Sequence, residues 1–152
     1  MSQVGIGYDS HRFAEGRRLV LGGVEIPHDR GLAGHSDADV LTHAVIDALL
    51  GAAGMGDIGT LFPDDDERWR DADSIDLLRT AVGTVPGRIV NVDATVVCEE
   101  PKLAPHRAEM ERLIAEATSA RVSVKATTNE GMGWIGRGEG IACIAVASVE
   151  SE

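Results

Sequence analysis

The sequence predicts an α+β fold: a mixed β-sheet with helices packed on one face. Segments of strand and helix type follow one another in the order β-β-α-α-β-α-β-β, without the strict alternation of a doubly wound α/β fold. The 152 residues have the length of one domain, and neither a repeat nor a linker interrupts them. We therefore expect a single domain over residues 1–152.

The first half of the chain predicts two strands and a helix. Val4–Tyr8 and Leu19–Val24 are apolar runs on either side of a turn-like segment, which indicates a hairpin. Ser36 is followed three residues later by Asp39, an aspartate variant of the capping box, so a helix is expected from Asp37 onward.

The rest of the chain alternates polar loops with clear helix and strand signals. A proline or a glycine bounds several of these segments. In order, we expect a helix that ends near residues 51–56, a polar loop at 57–70, a helix from about Asp73 to the Pro86-Gly87 turn, a strand at Arg88–Val97, a helix at about Ala104–Ala117, a strand at Val122–Ala126, a glycine-rich loop at Thr127–Gly138 and a closing strand at Ile141–Val149.

Composition excludes several classes of function. The chain is 43% hydrophobic and 26% charged, as globular proteins are. Its net charge of −11 and its aromatic content of 3% argue against nucleic-acid binding. Polar residues break the most apolar stretch, Val40–Met55, and the N-terminus has no leader-like pattern. We expect a cytoplasmic protein without membrane or nucleic-acid partners, in which Cys98 and Cys143 are buried free thiols.

Residues of metal-ligand type concentrate near the first strand and the first helix. Asp9 and His11 stand at i and i+2 on a strand, so they share a face about 6.5 Å apart. His43 has Asp39 and Asp47 one helical turn to either side, where a carboxylate can accept the second N–H of a ligating imidazole. A polar strand end and a buried core histidine are the alternative interpretations. One Asp and two His with an open fourth position are typical of catalytic zinc, or of a similar divalent metal.

A second group of polar residues leaves the strand that precedes the glycine-rich loop. Thr127, Thr128 and Asn129 offer hydroxyls and an amide to phosphate oxygens, and Glu130 could hold a hard cation such as Mg²⁺. The alternative is a turn with ordinary capping residues.

Motifs along nearly the whole chain carry a resemblance to a known family. They are Gly5-Ile-Gly-Tyr-Asp-Ser-His-Arg-Phe13, Leu21-Gly-Gly-Val-Glu-Ile-Pro27, Gly34-His-Ser-Asp-Ala-Asp-Val40 with His43, Asp47-Ala-Leu-Leu-Gly51, Gly56-Asp-Ile-Gly59, Leu61-Phe-Pro-Asp64, Pro101-Lys-Leu103 with His106, Lys125-Ala-Thr-Thr128 and Gly136-Arg-Gly-Glu-Gly-Ile-Ala142. The chain is similar to the 2-C-methyl-D-erythritol 2,4-cyclodiphosphate synthases of the non-mevalonate isoprenoid pathway.

The resemblance implies a homotrimer whose sheets face the three-fold axis, with active sites between neighbouring subunits. The implied reaction converts 4-diphosphocytidyl-2-C-methyl-D-erythritol 2-phosphate to the cyclodiphosphate and CMP. By position, Asp9, His11 and His43 match the zinc ligands of the family. Glu130 matches the ligand of a second cation, Mg²⁺ or Mn²⁺, that bridges the diphosphate.

The resemblance also implies catalytic roles for His35 and Thr128, which steady the transition state. Trp134 stands where the family commonly has phenylalanine, and with Arg137 it matches an axial cavity that can take an isoprenoid diphosphate; the larger indole alters that cavity. The implied substrate contacts are Asp9, His11, His35, Ser36, Asp57, Ile58, Gly59, Phe62, Pro63, Asp64, Asp65, Asp66, Cys98, Glu99, Glu100, Pro101, Lys102, Leu103, Ala104, Thr127, Thr128, Asn129, Glu130, Trp134 and Arg137.

Electrostatics agrees with a reaction that depends on metals. Two unit charges 4 Å apart repel by roughly 4 kcal/mol at an effective dielectric constant of 20, and a protein of net charge −11 cannot offset phosphate repulsion with its overall field. Because the attacking phosphate is already ionised, the reaction requires no nucleophilic side chain. Two other functions stay open: a metal-dependent phosphoesterase that activates water, and a trimeric nucleotide-binding regulator without catalysis.

Overall fold

The computed structural model describes residues 1–151 as one five-stranded mixed sheet, a small hairpin and a layer of helices. The strands are β1 (Ser2–Ala14), β2 (Leu19–Leu21), β3 (Val24–Ile26), β4 (Gly31–Leu32), β5 (Arg88–Val97), β6 (Arg121–Thr127) and β7 (Gly140–Glu150). The α-helices are α1 (Val40–Ala52), α2 (Ile58–Leu61), α3 (Ser74–Thr84), α4 (Arg107–Thr118) and α5 (Gly133–Gly136), with 3₁₀ turns at Glu67–Trp69 and Ala104–His106.

The sheet has the strand order β4-β1-β7-β5-β6, in which β5 and β6 pair in parallel and the other neighbours pair antiparallel. Helix α1 packs on β1 and β7, α4 packs on β6, and α3 contacts both α1 and α4. The α+β class with a helical layer is therefore confirmed. Cys98 and Cys143 are buried and unpaired, as expected. Among residues 1–151, none of the helices is long and apolar enough to cross a membrane.

Two glycines of β1 bring α1 unusually close to the sheet. A Cβ atom on Gly5 would lie 2.0 Å from the carbonyl oxygen of Ala48, and one on Gly7 would lie 2.0 Å from that of Ala44. Both positions point to the inner face, as Asp9 and His11 do further along the strand, because alternate residues of a strand share a face. The close approach therefore places the α1 side chains directly beside the polar end of β1.

The opposite face of β1 and β7 is apolar and open to solvent. Ile6 is 70% exposed and lies opposite Val146, while Tyr8 lies opposite Ile144. Together with Val4 these residues form a contiguous stripe, which we call the outer apolar face. A contiguous stripe of exposed large apolar side chains is typical of a surface that contacts another protein chain.

The predicted hairpin between the first two strands is wrong. β1 is much longer than its apolar run and pairs with β4 and β7. The segment Leu19–Val24 is not one strand: Gly22 and Gly23 have φ of 59° and 78°, and they form the turn between β2 and β3. Two consecutive residues with positive φ suit the tight turn of a hairpin, so this glycine pair was the signal for the turn.

The predicted start of the first helix is also wrong. Ala38 has φ of 57°, so the chain is not helical at Asp37, and α1 begins at Val40. Asp39, rather than Ser36, is the N-cap, since its carboxylate accepts the N–H of Thr42. Elsewhere short helical turns interrupt the loops predicted at 57–70 and 127–138, and α4 begins after a 3₁₀ turn.

Candidate active site

Asp9, His11 and His43 converge at the inner end of β1. The Oδ2 atom of Asp9 lies 2.9 Å from Nε2 of His11 and 3.2 Å from Nδ1 of His43. One ligand-type atom from each of the three residues falls within 4.8 Å of the others. Ligands of a tetrahedral zinc ion, bonded at about 2.0 Å, stand about 3.3 Å from one another, so the spacing fits a metal of this kind.

The hydrogen bond of His11 shows which of its nitrogens is free. Its Nδ1 lies 2.8 Å from the carbonyl oxygen of Ala33. Because a carbonyl only accepts, Nδ1 must carry the hydrogen, and Nε2 presents its lone pair to Asp9.

A chain of buried hydrogen bonds likewise determines which nitrogen of His43 is free. The hydroxyl of Ser74 donates to Oδ1 of Asp37, and the N–H of Ser74 donates to Oδ2 of that carboxylate at 2.9 Å. With its hydrogen given to Asp37, the Ser74 hydroxyl accepts from Nε2 of His43 at 2.9 Å. The Ser36 hydroxyl lies 3.1 Å from the same nitrogen. Nδ1 of His43 therefore faces Asp9 with its lone pair.

These three groups present lone pairs to one another, an arrangement that is stable only around a positive charge. Oδ2 of Asp9 and Nε2 of His11 are buried and have no hydrogen-bond partner of acceptable geometry in residues 1–151. Burial lowers the pKa of His43, but the carboxylates of Asp9, Asp39 and Asp37 together raise it more, so the pKa lies above its ordinary value. Burial raises the pKa of Asp9, yet the two imidazoles bring it below its ordinary value. A divalent cation fits this donor set.

The carboxylates predicted to support His43 have other partners, so that prediction is wrong. Asp39 is fully buried, and its oxygens accept from the N–H groups of Gly22, Gly23 and Thr42 and from the Thr42 hydroxyl. Oδ1 of Asp47 accepts the N–H of Ile58 at 2.7 Å and so fixes the start of α2. Each carboxylate accepts hydrogen bonds from backbone N–H groups instead of from His43. Helical spacing alone cannot indicate these partners.

A cavity of about 230 Å³ opens over the three ligand residues, and we call it the metal pocket. Nε2 of His35 lies 3.1 Å from the carbonyl oxygen of Asp66, which holds the imidazole at the rim. The pocket is lined by Asp9, His11, Gly34, His35, Ser36, His43, Ile58, Gly59, Phe62, Asp64, Trp69 and Leu77. Gly34, Trp69 and Leu77 were not among the predicted contacts; Trp69 and Leu77 fall in segments where sequence gave only loop and core-helix signals.

The other predicted contacts of this region lie at the edge of the metal pocket or beyond it. Asp57 caps α2 by accepting the N–H and the hydroxyl of Thr60, both at 3.0 Å. The carboxylate of Asp66 pairs with Arg68, which lowers its pKa. Pro63 and Asp65 do not line the cavity.

The remaining predicted contacts form a separate exposed surface. We call residues 98–104 and 127–131 the nucleotide loops, after the contacts that the resemblance implies for them; they do not line the metal pocket. They follow the carboxyl ends of the parallel neighbours β5 and β6. The Glu99 carboxylate joins them by accepting the N–H groups of Asn129, at 2.6 Å, and Gly131, at 3.1 Å. Cys98 and Leu103 are buried, whereas Thr127, Thr128 and Glu130 are exposed.

Trp134 and Arg137 lie together in a third place. With Ser10, His11, Arg12, Phe13, Arg30, Gly138 and Glu139 they line an open cavity of about 660 Å³. The lining includes three arginines and two aromatic residues; Arg30 stacks 4.5 Å over Phe13, and Arg137 pairs with Glu139. We call this the arginine cavity. Its chemistry suits an anion with an apolar portion.

The fold and the Asp-His-His cluster define an α+β protein with a candidate divalent-metal site at the base of a small pocket. The chain belongs to the YgbB family, whose model matches residues 2–150. Two curated relatives are 2-C-methyl-D-erythritol 2,4-cyclodiphosphate synthases: that of Salinibacter ruber is 58% identical over 98% of this chain and 99% of its own. That of Rubrobacter xylanophilus is 60% identical over 97% of this chain and 94% of its own.

Solved structures show the same fold. The bifunctional IspDF of Campylobacter jejuni matches with a TM-score of 0.95 at 41% identity, covering 100% of this chain and 43% of that longer one. The CDP complex of IspF from Plasmodium falciparum matches with a TM-score of 0.83 at 33% identity, covering 99% of this chain and 97% of its own.

Proposed function

We propose that this chain converts 4-diphosphocytidyl-2-C-methyl-D-erythritol 2-phosphate to 2-C-methyl-D-erythritol 2,4-cyclodiphosphate and CMP, a step of the non-mevalonate isoprenoid pathway. The observation that carries the proposal is the set of three lone pairs from Asp9, His11 and His43 at the base of the metal pocket. Family membership and the name of the relatives at 58% and 60% identity support it.

The residues of the metal pocket give the reaction its geometry. Asp9, His11 and His43 would hold a zinc ion, which when bound would neutralise phosphate charge and polarise a phosphoryl oxygen. In its imidazolium form His35 would donate Nε2–H to the Asp66 carbonyl and Nδ1–H to a phosphate oxygen. The wall at Ile58–Phe62 orients the methylerythritol phosphate, so that the 2-phosphate meets the diphosphate without a nucleophilic side chain.

The nucleotide loops supply the other half of the site. Thr128 and Glu130, which are exposed, would contact the diphosphate and its Mg²⁺ or Mn²⁺. The backbone of residues 98–104 would recognise the cytosine base. The buried side chains of Cys98 and Leu103 support this, since they leave mainly backbone groups for the base. The CDP complex of the Plasmodium falciparum relative agrees with a cytidine ligand.

A homotrimer brings the two halves together in this proposal. The metal pocket and the nucleotide loops are separate on one chain, so a neighbouring copy completes each site. The outer apolar face supports this, because packing around a three-fold axis would remove Ile6, Tyr8 and Val146 from water. The arginine cavity then takes an isoprenoid diphosphate, a ligand whose charge and apolar chain match its lining.

The decisive experiment separates phosphate attack from water attack. The purified, metal-loaded protein is incubated with its substrate and with an analogue that lacks the 2-phosphate, and products are followed by ³¹P NMR and CMP release. We expect cyclic diphosphate from the substrate and almost no CMP from the analogue. Rapid CMP release from the analogue would favour a phosphoesterase. Binding of CDP without turnover of the substrate would favour a nucleotide-binding regulator.

A further inference from the structure

Arg17 lies on the turn after β1, a segment that sequence indicated only as a turn. Its side chain is half-buried and reaches back to the segment that carries His35. One terminal nitrogen donates to the carbonyl oxygen of Gly34 at 3.2 Å, and the other donates to that of Ser36 at 2.7 Å. A single guanidinium group therefore donates hydrogen bonds to the backbone carbonyls on both sides of His35.

The segment from Gly34 to Ser36 depends on hydrogen bonds from other parts of the chain, because it lies outside the helices and strands. The intervening carbonyl, that of His35, accepts the N–H of Asp71 at 2.9 Å. Three successive carbonyls are thus fixed, two of them by Arg17. The same segment supplies the Ser36 hydroxyl that lies 3.1 Å from Nε2 of His43, so its position matters for the pocket.

Arginine suits this task in a way that lysine does not. The guanidinium is a rigid planar fork that can donate in two directions at once, whereas an ammonium is a single point on a flexible stem. Nε of Arg17 is buried and has no hydrogen-bond partner within residues 1–151. Burying that N–H without a partner costs free energy, which the two carbonyl contacts must offset.

We propose that Arg17 is a positioning residue for the reaction, which acts by holding His35 against the reacting phosphate. The inference rests on the proposed function, since it takes His35 to contact the phosphate. Arg17 hydrogen-bonds to none of the three metal ligands and, within the described residues, does not itself line the metal pocket; it contacts the backbone of Gly34 and Ser36, which do. Its loss should therefore slow turnover and leave metal binding intact.

The first test compares Arg17→Ala with Arg17→Lys and with Arg18→Ala. Arg18 is the matched control, because it is an exposed neighbour in a surface ion pair with Glu25. We expect Arg17→Ala to lower kcat by about 10- to 100-fold, the cost of a small misplacement of a reacting group, with KM changed less than about threefold. Arg17→Lys should fall in between, and Arg18→Ala should match the parent. Zinc should stay at one equivalent per chain in all three.

The second test is a double-mutant cycle with His35→Ala. If Arg17 acts through His35, Arg17→Ala should cost less than about twofold in kcat once His35 is absent, because the two effects are coupled. A full second loss, or loss of zinc in Arg17→Ala and Arg17→Lys, would overturn the inference and indicate a structural role. Parent-like kcat in both Arg17 variants would also overturn it. A parent enzyme that forms no cyclic product would instead refute the proposed function.

Discussion

The metal pocket and the nucleotide loops differ in how much of each site one chain completes. In the metal pocket, Asp9, His11 and His43 are largely shielded from solvent, and hydrogen bonds fix the orientation of both imidazoles. In the nucleotide loops, Thr127, Thr128 and Glu130 point to solvent. Glu99 holds the two loops together by accepting hydrogen bonds from the backbone of Asn129 and Gly131.

This contrast suggests that metal binding and catalysis depend on different levels of structure. The metal pocket forms when one chain folds, because β1 and α1 supply all three ligands and pack directly on each other. The nucleotide loops, in our proposal, function only opposite the metal pocket of a neighbouring copy. A variant can therefore be designed to break either half alone.

The largest effect is expected from His43→Ala. Removing one ligand leaves two donors, so the protein should lose its zinc and its CMP release should fall by about 10³-fold or more. Metal content is measured by elemental analysis and the product by ³¹P NMR. His106→Ala, which changes a histidine outside the metal pocket, should keep one zinc per chain. Full metal content in His43→Ala would show that the cluster is not the metal site.

Ile6→Asp should disrupt the trimer, and with it the contribution of the nucleotide loops to the site, without loss of zinc. Ile6 is 70% exposed on the outer apolar face, and a carboxylate buried there in an assembly would cost several kcal/mol. We expect a monomer near 16.0 kDa by light scattering, with zinc retained and activity reduced by about 100-fold, since the cost of the buried charge opposes assembly.

The control for Ile6→Asp is Thr80→Asp, which places the same charge on the exposed surface of α3 and should remain trimeric and active. A parent protein that is already monomeric and active would contradict the shared site altogether. A monomeric Ile6→Asp variant with full activity would do the same.

The features that sequence predicted well are those set by local spacing. The pair Asp9 and His11 was indicated by the period of a strand, and the long helices and strands by apolar periodicity. The orientation of His43 could not be predicted in this way, because it depends on Ser74 and Asp37. These two residues lie 37 positions apart in sequence, and they come into contact only when the N-terminus of α3 packs against the segment before α1. Asp39 has the residue type and spacing expected of a partner for His43, but its carboxylate accepts hydrogen bonds from backbone N–H groups instead.

The separation of the two half-sites was expected only from the resemblance, which implies active sites between neighbouring subunits, and not from the residue types themselves. The resemblance assigned Thr128, Glu130 and His35 to one reaction, and residue types cannot show that they lie apart on one chain. The arrangement follows from the strand order: β7 lies between β1, which carries Asp9 and His11, and β5, which is next to β6. Motifs indicate which chemistry is present, whereas topology decides which groups one chain can bring together.

Ser74→Ala tests the hydrogen bonds behind His43 and should have an intermediate effect. Without the hydroxyl, Nε2 of His43 loses the partner that fixes its tautomer, so metal affinity should fall by about 10- to 100-fold. Affinity is measured by competition with a chelator, and the absorption spectrum of the Co²⁺ form reports the coordination geometry. Ser123→Ala, an exposed hydroxyl on β6, is the control. Unchanged affinity in Ser74→Ala would mean that Ser36 alone orients the ring.

The smallest effect concerns pH. Because the carboxylates of Asp9, Asp39 and Asp37 together outweigh burial, the pKa of His43 lies above its ordinary value of 6.5 in the metal-free protein. Folding then favours the imidazolium, and this stabilisation is fully present below pH 6.5 and is lost as pH rises through the raised pKa. A bound cation needs the lone pair that this proton occupies, so protons compete with the metal. Asp9 remains a carboxylate throughout, since its pKa lies below its ordinary value.

The metal should therefore stabilise the protein more at high pH than at low pH. We expect the difference in Tm between zinc-loaded and metal-free protein to be several degrees larger at about pH 8.5 than at about pH 6, as the linkage between proton release and metal binding requires. Differential scanning calorimetry measures it. In His43→Ala the difference should be small and nearly independent of pH, because the titrating ligand is gone. A parent protein whose zinc-dependent Tm shift is the same at both pH values would show that His43 binds the metal without first losing a proton.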